Sequence, residues 1–457
     1  MNISINKNYI CLYLLLFIAL FSEGTVGLYL TIPLILISMF LYSNEIIKLI
    51  PIMKTNKVCM LLVGFVISIF ISFFCNFLFG IVSIPKFLIA FAGGYLCHFI
   101  LCFILGILFT YKNDAKQIEK FFLICLYLII FAGLIEFLMY KFGLPGFEYI
   151  NQLCSGREDC SNYKWSFFPR IQSFFAEPSH YAWFLVCNIP LVFGLTMSNR
   201  HLFKYKFQNK ISLNLLMPLL FLSLILTQSA INIIIGIIIY LFCYFIFASK
   251  RSRIKLFIRT IILGFIFIII TCFLIQNNIP FINRILVTIP VVFSLKSLVF
   301  IEPSLATRII SYIHFVKVFL SHPLLGVAPG NVAPYFLKVL QSSNIPLTME
   351  LYNLAFYAEK VNLNPSIFFK IIAENGLMGI CIFLLFIKQL YKTSINLKKI
   401  YSSEYKIFFK SISVSILAYC CLMFYDSQLY NHYFWILFGC LVGFNFRLKR
   451  NIEKESL

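Results

Sequence analysis

The sequence predicts an all-α, polytopic membrane protein with about 12 transmembrane helices and a large periplasmic loop. Three observations support this prediction: 61% of the 457 residues are hydrophobic, only 12% are charged, and most Lys and Arg residues lie in short segments between apolar runs. A soluble domain carries about 25% charged residues, so the charged surface of a water-soluble globule is missing. The net charge of +21 follows the positive-inside pattern of membrane proteins and does not indicate a nucleic-acid binder.

Apolar runs of membrane-spanning length divide the chain. A hydrocarbon core of about 30 Å needs about 20 apolar residues in a helix. Twelve segments are predicted as spans: 9–21, 27–43, 58–79, 87–109, 121–140, 178–197, 211–227, 230–248, 256–276, 366–387, 407–425 and 430–446. Spans seven and eight are separated only by Thr227-Gln228-Ser229, which predicts a tight turn at the membrane surface. The whole chain, 1–457, is predicted to form a single transmembrane domain.

The basic residues predict the orientation of these spans. Both terminal segments and alternate connecting segments are rich in Lys and Arg, and such segments stay in the cytoplasm. Both termini are therefore expected to be cytoplasmic. Membrane insertion and anionic lipid head groups account for these charges, so any chemistry is expected on the outer face.

Two outward segments are long enough to hold a functional site, the loop 141–177 and the large loop 277–365. Loops longer than about 15 residues are usually functional or disordered. Both segments are rich in aromatic and aliphatic residues, a composition that favours ordered structure. Both are therefore predicted to be functional periplasmic loops.

The first loop enters span six through Arg170, Glu177 and His180. Pro178 suits the first turn of a helix, so Glu177 is predicted at or near the N-cap. One interpretation is that Glu177 simply caps the helix and is stabilised by its dipole. The alternative is a functional cluster with Arg170 and His180, which capping does not require.

The second loop contains a helix, predicted to begin at the N-cap Ser304 and to end before Pro323. Apolar residues recur between them at helical spacing: Ile309, Ile313, Val316 and Leu320. Arg308 and His322 stand near the two ends of this helix, about 21 Å apart at 1.5 Å per residue. They cannot contact the same phosphate unless the helix breaks. Snorkelling at an interface is the alternative interpretation of Arg308.

Ionisable residues also lie inside the predicted spans. Lys370 and Glu374 in span ten are four residues apart, so mutual neutralisation and a functional role both remain open. His98 and Glu136 are lone ionisable residues in spans four and five. For these two, buried hydrogen bonding is favoured over catalysis.

Most of the 15 cysteines lie in apolar spans and are interpreted as small hydrophobic residues. Cys154 and Cys160 lie in the first outward loop, where an oxidising compartment would allow a disulfide; free thiols are the alternative. Too few ligands accompany them for a zinc site. Nucleotide-binding motifs are also missing from the sequence, so neither a metal nor a cofactor is predicted.

Four motifs follow one another in the central half of the chain: Arg170 to Trp183, Leu226 to Ser229, Arg308 to Asn331, and Ala373 to Gly379. Together they resemble the bacterial O-antigen polymerase and O-antigen ligase superfamily. The resemblance implies a glycosyltransferase of the bacterial inner membrane that uses undecaprenyl-diphosphate-linked oligosaccharides at the periplasmic face. It also implies the lipid bilayer and a chain-length regulator protein as partners.

One position departs from the pattern of the superfamily. Its members often place a His-Asn pair before the Glu-x-Gly-x-x-Gly helix, and this sequence has Asn362-Leu-Asn364-Pro there. The missing His favours a polymerase, which transfers a glycan to a lipid-linked repeat unit, over a ligase, which transfers it to lipid A–core. A lipid-linked oligosaccharide flippase is the alternative from the transporter class. Transporters usually contain internal repeats, and none is recognised between the two halves of this chain.

The predicted chemistry gives each candidate residue a role. A departing diphosphate needs its charge neutralised, which a guanidinium can do without a metal; Arg170 and Arg308 are therefore predicted to bind diphosphate. The attacking sugar hydroxyl needs a base within hydrogen-bonding reach, and Glu177 is the first choice, with His322 the second. The remaining candidates are predicted to bind substrate: His180, Asn331 and Glu374.

Overall fold

The computed structural model of the protein is all-helical wherever it is described. It describes residues 7–20, 25–80, 82–144, 170–175, 177–197, 209–247, 290, 294–301, 303–335, 366–401, 403–424 and 431–455. These residues contain no β-strand, which confirms the predicted all-α class.

Sixteen helical segments follow one another along the described chain. In order they are α1 (Lys7–Leu20), α2 (Thr25–Leu41), α3 (Ser43–Lys54), α4 (Lys57–Leu78), α5 (Ile84–Ile89), a π-helix (Ala90–Leu101), α6 (Cys102–Lys112), α7 (Ala115–Lys141), α8 (Pro178–Met197), α9 (Asn209–Leu226), α10 (Ala230–Phe247), α11 (Leu295–Ile301), α12 (Pro303–Ser321), α13 (Ile367–Ile400), α14 (Ser403–Leu422) and α15 (His432–Glu455).

Helices form at eleven of the twelve predicted spans, and the predicted span 256–276 lies outside the described residues. Among the described residues, six helices are long and apolar enough to cross a membrane. A seventh candidate is the pair Thr31–Leu41 and Ser43–Lys54, which is bent by 79°. The apolar parts of α9 and α10 are shorter than these six. The chain is therefore a membrane protein, but the structure does not confirm twelve spans or the predicted large periplasmic loop.

Side chains at two helix starts explain where those helices begin. Asp114 precedes α7, and its side chain accepts a hydrogen bond from the backbone N–H of Gln117. The Gln117 side chain accepts one in return from the Asp114 N–H, at 3.0 Å, which completes a capping box. Asn56 caps α4 in a similar way by accepting from the N–H of Val58, at 2.9 Å.

The described chain forms two compact units. The first comprises 1–67, 88–239 and 381–457, and the second comprises 68–87 and 240–380. Helix α8 lies at the core of the first unit, since 89% of the residues in its 18-residue apolar stretch are buried. A helix that is buried on all sides belongs in the interior of a bundle.

Close backbone packing joins α6 to α15 within the first unit. A methyl group placed on Gly106 or Gly439 would collide with backbone carbonyl groups of the opposite helix, at Ile436 and Phe103 respectively. Thr110 adds a hydrogen bond of 3.3 Å to the Cys440 carbonyl oxygen. Small residues that allow such close approach are characteristic of membrane helix pairs.

The second unit has its own apolar core. Helices α11 and α12 pack against the segment that follows α12 and against the start of α13. The core residues include Leu298, Ala306, Ile310, Val318, Val327, Val332 and Ala373. This core holds the 327–333 segment beside α13.

We expect Gly439→Ala to destabilise the folded protein by about 1–3 kcal/mol, because the added methyl group overpacks a backbone contact. The measurement is thermal unfolding of the detergent-purified chain. The matched control is Gly93→Ala, because a Cβ at Gly93 would meet no atom within 4 Å. Equal melting temperatures for the two variants would contradict close packing of α6 on α15.

Candidate functional site

Residues 170–175, here called the arginine turn, pair with the connection between α9 and α10 in the first unit. The Ile171 N–H donates to the Leu226 carbonyl oxygen at 3.2 Å. The Arg170 Nε donates to the Thr227 carbonyl oxygen at 3.1 Å. Two motifs whose contacting residues Arg170 and Thr227 are 57 positions apart are therefore parts of one structure. The predicted tight turn between α9 and α10 is confirmed.

Glu136 of α7 holds the arginine turn in place. Its Oε2 accepts hydrogen bonds from the backbone N–H groups of Gln172, at 2.9 Å, and Ser173, at 2.7 Å. Ser173 has a φ of 53°, and its hydroxyl donates to the Ile129 carbonyl oxygen at 2.7 Å. These contacts confirm a buried hydrogen-bonding role for Glu136.

Glu177 is the N-terminal cap of α8. Its carbonyl oxygen accepts from the N–H groups of His180 and Tyr181, at 3.1 and 3.2 Å. Its carboxylate accepts from the Ser179 hydroxyl at 3.3 Å. The capping position that the sequence predicts for Glu177 is therefore confirmed.

The start of α8 and the α9–α10 connection lie together, and they hold the three candidate residues of the first unit. Asn232 at the start of α10 donates through Nδ2 to the Ser179 carbonyl oxygen at 3.2 Å and to the Ser229 hydroxyl at 3.0 Å. The start of α8 is thereby tied to the α9–α10 connection, which Arg170 also contacts. Arg170, Glu177 and His180 are all half-buried there.

The second unit contains a break in the span helix α13. Gly376 has φ 61° and ψ −161°, values outside the helical region. The break leaves backbone groups on both of its sides without partners inside the helix.

The chain after α12 supplies those partners. The N–H groups of Val327 and Ala328 donate to the carbonyl oxygens of Ala373, at 3.0 Å, and Glu374, at 2.9 Å. In the other direction, Leu377 donates to the carbonyl oxygen of Pro323 at 2.8 Å. We call this paired region, residues 323–331 with 373–378, the loop–helix joint.

Glycine allows the two backbones of the joint to approach. Gly326 has a φ of 66°, and a methyl group there would lie 2.5 Å from the Ala373 carbonyl oxygen. A methyl group at Gly376 would collide with the backbone of Leu324. The glycines of the His-Pro-x-x-Gly and Glu-Asn-Gly motifs are therefore needed at one and the same contact.

Glu374 and Asn331 form hydrogen bonds to backbone groups in and beside the joint. The Glu374 Oε1 accepts from the Gly330 N–H at 3.1 Å. The Asn331 Oδ1 accepts from the Ser83 N–H at 2.9 Å, and its Nδ2 donates to the Pro329 carbonyl oxygen at 2.9 Å. The structure thus brings two predicted site residues together, in contacts that stabilise backbone; their binding of substrate stays a prediction.

Two residues of α4 join this network, and the sequence analysis did not single them out. The Ser72 hydroxyl donates to the Glu374 carbonyl oxygen at 3.0 Å, and the Asn76 Nδ2 donates to the Gly326 carbonyl oxygen at 3.0 Å. Together with buried Ser68 they recur every four residues along an otherwise apolar helix. That polar stripe is the signal that could have identified them.

Helix α12 carries Arg308 near one end and leads directly into His322 at the other. The helix runs unbroken from Pro303 to Ser321, so the separation of about 21 Å expected from helix geometry applies. Arg308 and His322 are both half-buried, and the His322 ring lies edge-on to Tyr335, with centroids 5.4 Å apart. One phosphate cannot contact both residues.

The apolar stripe predicted along α12 lies mainly on its exposed side. Ile313 and Leu320 are 41% and 68% exposed, whereas Ala306, Ile310 and His314 are buried.

Burial lowers the pKa of the His314 imidazole to about 4, and the Lys317 ammonium also lowers it, against an opposing contribution from the Val332 backbone. The ring is therefore neutral at pH 7 and is a poor general base.

The remaining candidates lie in several parts of the structure. Lys370 and Glu374 are both buried in the regular part of α13 that precedes the break. His98 is buried and hydrogen-bonds through Nδ1 to the Nε2 of His432 in the first unit. Cys154 and Cys160 lie outside the described residues. The described residues contain no group of three or more potential metal ligands.

We expect Gly326→Ala to disrupt the joint, because the substitution combines a backbone collision with the strain of a positive φ. The strain alone costs about 1–2 kcal/mol. The measurement is protection of the 323–331 segment against hydrogen exchange in the purified chain. Gly80→Ala is the matched control, since Gly80 has a φ of 68° and a Cβ there would meet no atom within 4 Å. Equal protection in both variants would contradict the close contact.

We expect Glu136→Leu to destabilise the arginine turn by about 1–3 kcal/mol, because it leaves two buried N–H groups without their acceptor. Glu136→Gln keeps an acceptor oxygen and should retain most of the stability. Limited proteolysis near residues 170–175 measures the difference. If Gln and Leu destabilise this segment equally, acceptance of the two hydrogen bonds is not the role of Glu136.

A comparison with protein families identifies one domain in the chain. Residues 215–384 match the family model described as O-antigen ligase. No curated protein gives a significant match to the chain. The matched residues include Arg308, His322 and the whole loop–helix joint. Residues 215–384 are therefore similar to the O-antigen ligase family, and over these residues the match confirms the resemblance to the O-antigen polymerase and ligase superfamily. Three of the four motifs lie within the match, and the motif from Arg170 to Trp183 lies outside it.

Proposed function

We propose that the protein is a surface polysaccharide polymerase of the O-antigen type. It would transfer an undecaprenyl-diphosphate-linked glycan to a lipid-linked repeat unit at the periplasmic face of the bacterial inner membrane. The observation that carries the proposal is the family match over 215–384, which covers the joint and the helix that bears Arg308. The proposal includes cytoplasmic termini, as the basic segments predict.

In the proposed reaction, a hydroxyl oxygen of the acceptor sugar attacks the anomeric carbon of the donor glycan. A carbon–oxygen bond forms there, and the bond from the same carbon to the lipid diphosphate breaks. The hydroxyl proton passes to a base, and the bonding electrons leave with the diphosphate. The protein must therefore supply a proton acceptor and positive charge around the leaving group.

Arginine suits the leaving group because its planar guanidinium binds phosphate oxygens in a bidentate manner. Arg308 is half-buried on the unbroken helix α12, and this helix packs into the apolar core of the second unit through Ala306 and Ile310. Arg170 is held through Nε by the Thr227 carbonyl oxygen, which uses one of the five N–H donors of the guanidinium. We assign Arg308 and Arg170 to lipid diphosphates.

Glu177 remains our first choice of base. Its carboxylate lies at the N-terminus of α8, where the helix dipole stabilises negative charge. It is half-buried, so a sugar hydroxyl could reach it. His322 is the second choice, and His180 is proposed to contact the sugar.

Glu374 and Asn331 act in this proposal mainly as positioning residues. They hold the backbone of residues 329–331, which follows His322 in the chain. A displacement of about 1 Å in a reacting group can reduce a rate about 100-fold. Their loss would therefore affect transfer without removing a group that touches the reacting atoms.

Two rival functions predict different phenotypes for a gene deletion. Loss of a polymerase leaves surface lipid carrying a single repeat unit, whereas loss of a ligase removes all glycan from the lipid A–core. The sequence Asn362-Leu-Asn364, without the expected His, favours the polymerase. Loss of a flippase would instead leave lipid-linked repeat units on the cytoplasmic side. An unchanged ladder of surface polysaccharide on a gel would contradict the proposal.

We expect Arg308→Ala to abolish long glycan chains while the protein still inserts in the membrane. Removal of one charge-stabilising donor typically lowers a rate by about 100- to 1,000-fold. The measurement is the polysaccharide ladder of a deletion strain that carries the variant. Lys317→Ala is the control, since Lys317 is exposed on the same helix. Persistence of long chains in Arg308→Ala would exclude the assigned role.

The proposed orientation has its own test. Cysteines introduced at positions 170 and 308 should react with a membrane-impermeant thiol reagent added to the periplasmic side. A cysteine at position 48 should react only after the inner membrane is opened. The reverse pattern would contradict the placement of both arginines.

A further inference from the structure

A small polar cavity lies within the first unit, and its described lining includes none of the residues assigned to glycan transfer. It has a volume of about 190 Å³. Its described walls come from the α3–α4 connection, α13 and α15: Thr55, Asn56, Lys57, Gln389, Thr393 and Asn445. We propose that this cavity binds the phosphate of an anionic lipid head group.

The wall residues offer hydrogen-bond donors and no carboxylate. The two Thr hydroxyls donate within their own helices, Thr55 to the Ile52 carbonyl oxygen and Thr393 to that of Gln389, both at 2.9 Å. The Asn56 side-chain oxygen already accepts the hydrogen bond from the Val58 N–H that caps α4. The donors left for a ligand are three side-chain amides and the Lys57 ammonium. The amides can also accept hydrogen bonds, so the positive charge of Lys57, with no carboxylate among the wall residues, is what favours an anion.

The size of the cavity excludes the large glycan substrate. A water molecule occupies about 30 Å³ of liquid, so about six waters would fill it. Pockets for drug-sized ligands are roughly 300–1,000 Å³. The volume suits one phosphate group with its nearest waters.

The surroundings of the cavity favour a lipid as the source of the phosphate. Helix α3, which ends beside it, exposes Ile47 and Ile50 together with Lys48 and Lys54. An exposed helix that combines apolar and basic residues is typical of the membrane interface. Its bend of 79° from the preceding apolar helix fits the same location.

Further basic residues lie next to the cavity along the chain. Lys388 and Lys392 are exposed and directly precede the wall residues Gln389 and Thr393. Basic pockets between membrane helices on the cytoplasmic side bind lipid head groups by this combination of charge and hydrogen bonding.

The test is native mass spectrometry of the full chain, purified from mixed phosphatidylglycerol and phosphatidylcholine vesicles. We expect one phosphatidylglycerol to be retained in preference to phosphatidylcholine. Lys57→Gln should weaken its binding about fivefold, the effect of one Lys near an anionic head group. Asn445→Ala, which leaves the charge unchanged, should also weaken it.

Lys48→Gln is the matched control, because Lys48 is exposed on α3 and does not line the cavity. Unchanged retention in Lys48→Gln supports a specific site, whereas an equal loss overturns it in favour of general surface charge. Equal retention of both lipids also overturns the proposal. Displacement of the lipid by millimolar inorganic phosphate would assign the cavity to the free ion instead. None of these outcomes depends on glycan transfer.

Discussion

A backbone group left unpaired inside an apolar bundle is costly, and this constraint organises the second unit. Within a membrane, non-helical backbone is tolerated only where protein or a water-lined cavity surrounds it. The break of α13 at Gly376 exposes carbonyl and N–H groups, and the segment after α12 pairs with them. The break therefore needs the joint to pair its backbone groups. The joint in turn needs Gly326 and Gly376, because any side chain there would collide with the facing backbone.

The same constraint explains the buried glutamate at the core of the first unit. The arginine turn is irregular backbone beside apolar helices, and Glu136 accepts two of its N–H groups. A buried carboxylate is expensive unless it is hydrogen-bonded. Here these two hydrogen bonds offset that cost, and they also fix the turn that bears Arg170. Both candidate regions therefore hold an arginine-bearing element by satisfying backbone groups.

This arrangement separates the residues that could react from those that position them. Arg170, Glu177, Arg308 and His322 are half-buried, so part of each residue is exposed. Glu136, Asn331 and Glu374 are buried, and their hydrogen bonds to backbone act on geometry. Substitutions in the two groups should consequently differ, since those in the second group also alter local stability.

The sequence by itself determined the helical class, most helix positions, the N-cap at Glu177 and the turn at 227–229, because apolar runs and local capping patterns depend on neighbouring residues. Only the tertiary structure decided which motifs meet. The pairing of 323–328 with 373–378, and the contacts of Ser72, Asn76 and Glu136, join residues far apart in the chain. Which side of α12 is exposed was also decided only by the tertiary structure. Spacing identifies an apolar stripe, but in a membrane protein an apolar residue is stable against lipid as well as in the core, so only packing decides which side is buried.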